Sequence, residues 1–153
     1  MKKIWSIILV AMLAFMCIGC GTQDNGGSED IEVSIDAECL STVAGEYQAS
    51  GIYDAENDEY VDAFWHLAIL EDNEGDGPYF TIYDNEAGNP GVEGRLIYLD
   101  DKTIKVLVDE EYYEQLPSDK WELDGDTLTV DYAMTELGIV LYNNNVEVGF
   151  RWE

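Results

Sequence analysis

Basic side chains are scarce in this sequence: seven lysines and arginines stand against 33 aspartates and glutamates in 153 residues, for a formal charge of −26. Proteins that bind nucleic acid neutralise phosphates with clusters of Lys and Arg, so this balance excludes nucleic acid as a partner. The same charge repels anionic lipid head groups and anionic wall polymers, and it favours cationic peptides, basic proteins or divalent ions. A solvated acidic surface with no dedicated partner is the simpler account of it. Histidine occurs once, at His66 within Phe64-Trp65-His66-Leu67. One imidazole cannot assemble the His and Cys sets that usually hold zinc, so His66 reads as a strand residue beside aromatic neighbours. No Gly-x-Ser-x-Gly elbow is present to present a serine nucleophile. Paired carboxylates can hydrolyse glycosides, but with 33 acids some close pair is inevitable and spacing carries no information. The sequence therefore predicts no catalytic residue, no cofactor and no metal site, and points away from an enzyme.

Cysteine is nearly as rare, at positions 17, 20 and 39, and long apolar runs are missing. The one apolar stretch, Ile4 to Ile18, follows Lys2 and Lys3 and is broken only by Ser6 and Cys17. It is shorter than the roughly 20 residues a permanent transmembrane helix needs, and its positive start fits a cleaved export signal. Its end, Cys17-Ile18-Gly19-Cys20, resembles the lipobox of bacterial lipoproteins, with Cys17 where that family usually has Leu. The resemblance implies that Cys20 receives a diacylglyceryl group and becomes the new N-terminus. Two or three acyl chains hold firmly to a membrane where one binds marginally. Cys17 would leave with the leader and Cys20 would be acylated, so Cys39 has no intramolecular disulfide partner. It reads as a small buried hydrophobe. The residues after Cys20, Gly21 to Asp30, carry no large apolar side chain and predict a flexible tether.

From about Val43 onward the chain alternates apolar and polar side chains, the mark of half-buried strands. Val146, Val148, Phe150 and Trp152 face one way while Glu147, Gly149 and Arg151 face the other. The other predicted strands are Glu46 to Tyr53, Ala63 to Leu70, Tyr79 to Tyr83, Gly94 to Leu99, Thr103 to Asp109, Lys120 to Leu123, Thr127 to Tyr132 and Ile139 to Tyr142. Turn signals separate them, among them Asn89-Pro90-Gly91, Asp124-Gly125 and Asn143-Asn144-Asn145. Only Glu110 to Leu116 offers a helical turn or two. The loop Glu71 to Gly77 partly fits a calcium-binding pattern, but Tyr83 stands where a bidentate Glu belongs, so a solvated hairpin loop is expected. Trp65, Trp121, Tyr132 and Phe150 are predicted core residues. Tyr112 and Tyr113, flanked by Glu110, Glu111 and Glu114, are predicted to contact a cationic partner.

Many short strands joined by tight turns indicate a meander, and closure into a barrel removes its exposed edges. Gly45-Glu46-Tyr47, the Lys120-to-Val130 hairpin and Arg151 together resemble the small lipocalin-like lipoproteins of bacteria. Tyr47 stands where lipocalins carry a Trp whose ring covers the barrel floor beneath an Arg from near the chain end. The resemblance implies an up-and-down barrel of roughly eight to ten strands and a binding rather than catalytic role. The expected organisation is a signal peptide over residues 1–19, a lipidated cysteine with a flexible acidic tether over 20–43, and one all-β, antiparallel, up-and-down barrel over 44–153. The expected function is a membrane-anchored binding module of the bacterial cell envelope, held on the extracytoplasmic face and taking a small apolar ligand. The alternative is an acidic interaction or inhibitor protein that captures a basic protein or peptide on its outer surface.

Overall fold

In the computed structural model the described residues are 31–84, 90–109 and 116–152. A two-residue strand β1 (Ser34–Ile35) leads into a short helix α1 (Ala37–Val43). Then come β2 (Gly45–Asp54), β3 (Glu59–Val61), β4 (Trp65–Leu70), β5 (Tyr79–Asp84), β6 (Pro90–Leu99) and β7 (Thr103–Val108). The last elements are β8 (Leu123–Asp124), β9 (Thr127–Thr135), β10 (Gly138–Asn143) and β11 (Val146–Trp152). Eight of these form a ring in chain order, β2-β4-β5-β6-β7-β9-β10-β11, every neighbouring pair antiparallel. β11 closes on β2, with Val148 opposite Ile52 and Trp152 opposite Tyr47. The protein is thus a closed, eight-stranded, up-and-down β-barrel, as the alternation predicted.

Period-two patterning decides what faces inward. On β4 Trp65, Leu67 and Ile69 are buried while His66, Ala68 and Leu70 are partly exposed, and β7 and β11 repeat the rule. The inward side chains make one apolar cluster that runs from Val43 and Tyr47 through Phe80, Leu96, Ile104, Val130 and Leu141 to Phe150. An eight-stranded barrel is just wide enough for side chains to fill it. Each Leu, Ile, Val or Phe so buried contributes about 1.5–3 kcal/mol. Gly94 lets β6 and β7 approach closely: a Cβ there would strike the backbone carbonyl of Leu107 on β7. Asn144 and Asn145 both take positive φ, 48° and 64°, and join β10 to β11 as the two-residue turn their sequence predicts.

Four expectations need correction. The segment expected as a tether up to residue 43 contains β1, paired in parallel with β6, and α1, which packs Val43, Leu40 and Cys39 against the core. Asp36 caps α1 by accepting from the N–H groups of Glu38 and Cys39 at 2.9 Å, a local signal that the acidic composition masked. The predicted strand Lys120 to Leu123 is reduced to β8, because residues before it turn, with the Trp121 N–H donating to the Ser118 carbonyl at 3.1 Å. β3 was missed; its three residues are all exposed and show no buried face. Finally, the side chain packed on the Tyr47 ring is Trp152, at 4.4 Å between ring centroids, and not Arg151. Phe150 and Tyr47-facing Trp152 fix the parity of β11, which turns Arg151 outward to lie opposite Gln48. The expected helical turn over residues 110–116 falls almost wholly outside the described residues.

Candidate functional site

The two ends of the barrel are built differently. At the end where β2 begins, Tyr47 is fully buried and its hydroxyl donates to the Val43 carbonyl at 2.6 Å, fastening α1 to the barrel. The Asp36 N–H donates to the carbonyl of Leu99 at 3.0 Å and anchors the start of the helix to the end of β6. Burial alone raises the Tyr47 hydroxyl far above the usual phenol range, so it stays a neutral donor.

At the other end, inward positions of β2 and β11 reach a cleft of about 390 Å³. Ile52, Val61, Pro117 and Val146 give it an apolar floor, while Asp54, Asn57, Glu59, Asp119 and Lys120 give it a polar rim. Asp54 organises this mouth. It accepts from the N–H of Glu56 at 3.0 Å and from the Asn57 side-chain amide at 2.8 Å, which fixes the β2–β3 turn, and it pairs with the Lys120 ammonium. Lys120 also stands 3.7 Å from the Glu56 carboxylate. The hydrogen bond from Lys120 holds the Asp54 carboxyl down to about 2, and the same contact raises the Lys120 ammonium. The Asn143 side chain brackets the segment by accepting from the Glu122 N–H at 2.9 Å and donating to the Glu122 carbonyl at 3.1 Å. The Trp121 indole N–H donates to the Val146 carbonyl at 3.3 Å, so this predicted core residue, 3 % exposed, also closes the mouth.

Trp65, Tyr132 and Phe150 are buried as predicted. His66 stacks on Tyr83 across the strand pair at 5.0 Å and 12° on the outer wall. The Glu71-to-Gly77 segment is a hairpin loop in which both Asp72 oxygens accept backbone N–H groups, from Gly75 at 3.0 Å and Gly77 at 2.9 Å. Cys39 is half-buried; burial, then the Asp36 charge, raises its thiol, which suits a packing role and not a nucleophile. Among the described residues no group of three His, Cys, Asp or Glu side chains is placed to hold a metal ion. Cys20, Tyr112 and Tyr113 lie outside the described residues. The Asp54–Lys120 arrangement escaped the sequence, although Lys120 is one of only five basic residues after position 20.

A closed, eight-stranded antiparallel barrel with a capped floor and a looped mouth is compatible with a lipocalin-like fold. Comparison of the chain with protein-family models, curated proteins and solved structures gives no match.

Proposed function

We propose that this protein is a lipid-anchored, non-enzymatic binding module on the extracytoplasmic face of a bacterial membrane, and that it captures a cationic peptide or basic protein on its outer surface. The observation that carries this reading is the contrast between the two faces of the wall. Among the described residues no polar or charged side chain is buried, and the interior positions form one apolar cluster. The acids on the outward rows of the described strands, among them Glu46, Asp131 and Glu147, therefore face away from that cluster, where they act at long range on partners of opposite charge. A small apolar ligand remains a second reading, favoured by the Ile52, Val61, Pro117 and Val146 floor of the mouth cleft, whose volume falls in the range of small-molecule sites.

Salt separates the two. Capture by exposed carboxylates weakens as the screening length falls from about 30 Å at 0.01 M to about 8 Å at 0.15 M salt. Burial of an apolar probe follows the area removed from water and does not respond to screening. Saturable binding of an oligoarginine peptide that weakens with salt yet persists at 0.15 M supports capture; binding of an apolar fluorescent probe alone, unchanged by salt, supports the ligand reading. The anchor is tested separately by metabolic labelling with a palmitate analogue in the native host: label should be incorporated by the wild type and lost in Cys20→Ala.

A further inference from the structure

The register of the barrel aligns one row of outward side chains across six strands. Thr103 lies opposite Asp131, Asp131 opposite Tyr142, Tyr142 opposite Glu147, Glu147 opposite Tyr53, and Tyr53 opposite Tyr60. Tyr142 and Tyr53 thus flank Glu147, and strands spaced about 4.8 Å apart put the two tyrosines roughly 10 Å from each other with the carboxylate between them. Tyr142 and Tyr60 are open to solvent, at 38 % and 61 %. Tyr53 is held in place by its hydroxyl, which donates to the Asp58 carboxylate at 2.9 Å. The charge of Glu147 acts on both flanking rings: it adds to the Asp58 hydrogen bond in raising Tyr53 and to burial in raising Tyr142.

The neighbouring outward row carries Val140, Gly149 and Gly51. At its far edge the Tyr60 ring lies over Gly51, in the space a Cβ would occupy. At the opposite end of the tyrosine row an open cleft of about 670 Å³ adjoins Tyr142 and Asp131, and Lys102 stands in it. That lysine disfavours a cation there and leaves the Tyr53–Glu147–Tyr142 segment as the better position. The ion pairs made by Lys120 with Asp54 and Glu56 lie at the mouth, on the inward side of β2.

A guanidinium or ammonium gains from an aromatic face within about 6 Å of its centroid and from a carboxylate that accepts its N–H groups. Arginine suits the site better than lysine, because its planar fork can meet the Glu147 carboxylate while stacking on a ring. We infer that Glu147, flanked by Tyr53 and Tyr142 on the outer wall of the barrel, is a subsite for an arginine side chain of a cationic peptide partner. The inference rests on the capture reading and gives that reading an address on the surface.

The test uses the full chain in detergent and a fluorescently labelled oligoarginine peptide at 0.15 M salt. Glu147→Gln keeps the shape of the side chain and removes its charge, and it should weaken binding roughly tenfold, as expected for a hydrogen bond to a charged group. Tyr142→Ala should weaken it roughly threefold, in line with a cation–π contact at an exposed site. Glu46→Gln removes an equally formal charge from an exposed outward position near the floor and should change affinity less than about twofold. Substituting oligolysine for oligoarginine should shrink the Glu147 effect. Equal losses at Glu147→Gln and Glu46→Gln would mean a diffuse field and overturn the subsite while leaving capture intact. Failure of the wild type to bind oligoarginine at this salt would remove the capture reading, and the subsite with it. Since Glu147 and Tyr142 face outward, unchanged thermal melting of both variants shows that lost binding is not lost folding.

Discussion

The floor and the mouth of this barrel close the same cylinder by different chemistry. At the floor, the Tyr47 hydroxyl donates to Val43 and Asp36 caps the first turn of α1, while the Tyr132 hydroxyl donates to the Asp100 carbonyl at 2.7 Å and holds the β6–β7 turn. Burial pushes the Tyr132 hydroxyl up to about 12, so both phenols keep their protons throughout the ordinary pH range. At the mouth the holding groups are charged or amide side chains, Asp54, Lys120 and Asn143, over a cleft with an apolar base. Buried neutral contacts resist salt and pH, whereas an ion pair open to water is screened and titrates. The difference teaches that the larger share of stability resides toward the floor and that the mouth is held by weaker contacts that salt and pH can loosen.

The sharpest way to break that contrast is Tyr47→Ala. It removes a fully buried aromatic ring and the hydroxyl that ties down α1, and should cost about 4 kcal/mol, the range for large aromatic truncations. Urea denaturation checks it, and a loss below about 1 kcal/mol would mean that the floor does not carry the fold. Next in size is Gly94→Ala at the waist both ends share. The added methyl meets the Leu107 carbonyl, and the overpacking should cost roughly 1–3 kcal/mol in the same assay. Trp121→Phe probes the mouth: it leaves the Val146 carbonyl without its indole donor and should cost about 1 kcal/mol. A cost as large as that of Tyr47→Ala would erase the difference between the ends.

The smallest effect is electrostatic. The Asp54 carboxyl titrates near 2 in the folded protein against about 3.9 in an unfolded chain. A depressed folded value adds stability above the unfolded value, and that stability is lost as pH falls toward the folded one. Between about pH 4 and pH 2 the wild type should therefore lose more stability than Asp54→Asn, and the two should run parallel above about pH 5. Thermal melts across that window measure the difference. Parallel behaviour throughout would show that the Lys120 pair does not stabilise the mouth.

Much of the barrel could be read along the chain. Alternation in Thr103–Val108 and Val146–Trp152 named the inward faces, and Asn144-Asn145 marked a turn, because both signals are local consequences of strand period and backbone sterics. α1 was hidden because seven residues are too few for a helical stripe to stand out, and only its contact with the barrel stabilises it. β3 was hidden because an exposed strand has no buried face to write into the sequence. Trp152, and not Arg151, meets Tyr47 because the pairing of β11 with β2 sets which of two adjacent residues arrives at the floor.

The acidic balance and the strand period follow from residue order and composition, which need no partner element to be expressed. The closing of β11 onto β2, the joining of Asp54 to Lys120 across 66 positions and the row from Tyr53 through Glu147 to Tyr142 depend on register between strands. Register is a relation between distant segments, and a slip of one residue would turn every side chain to the opposite face. Packing of the apolar interior holds that register, and the outer wall inherits its pattern from it.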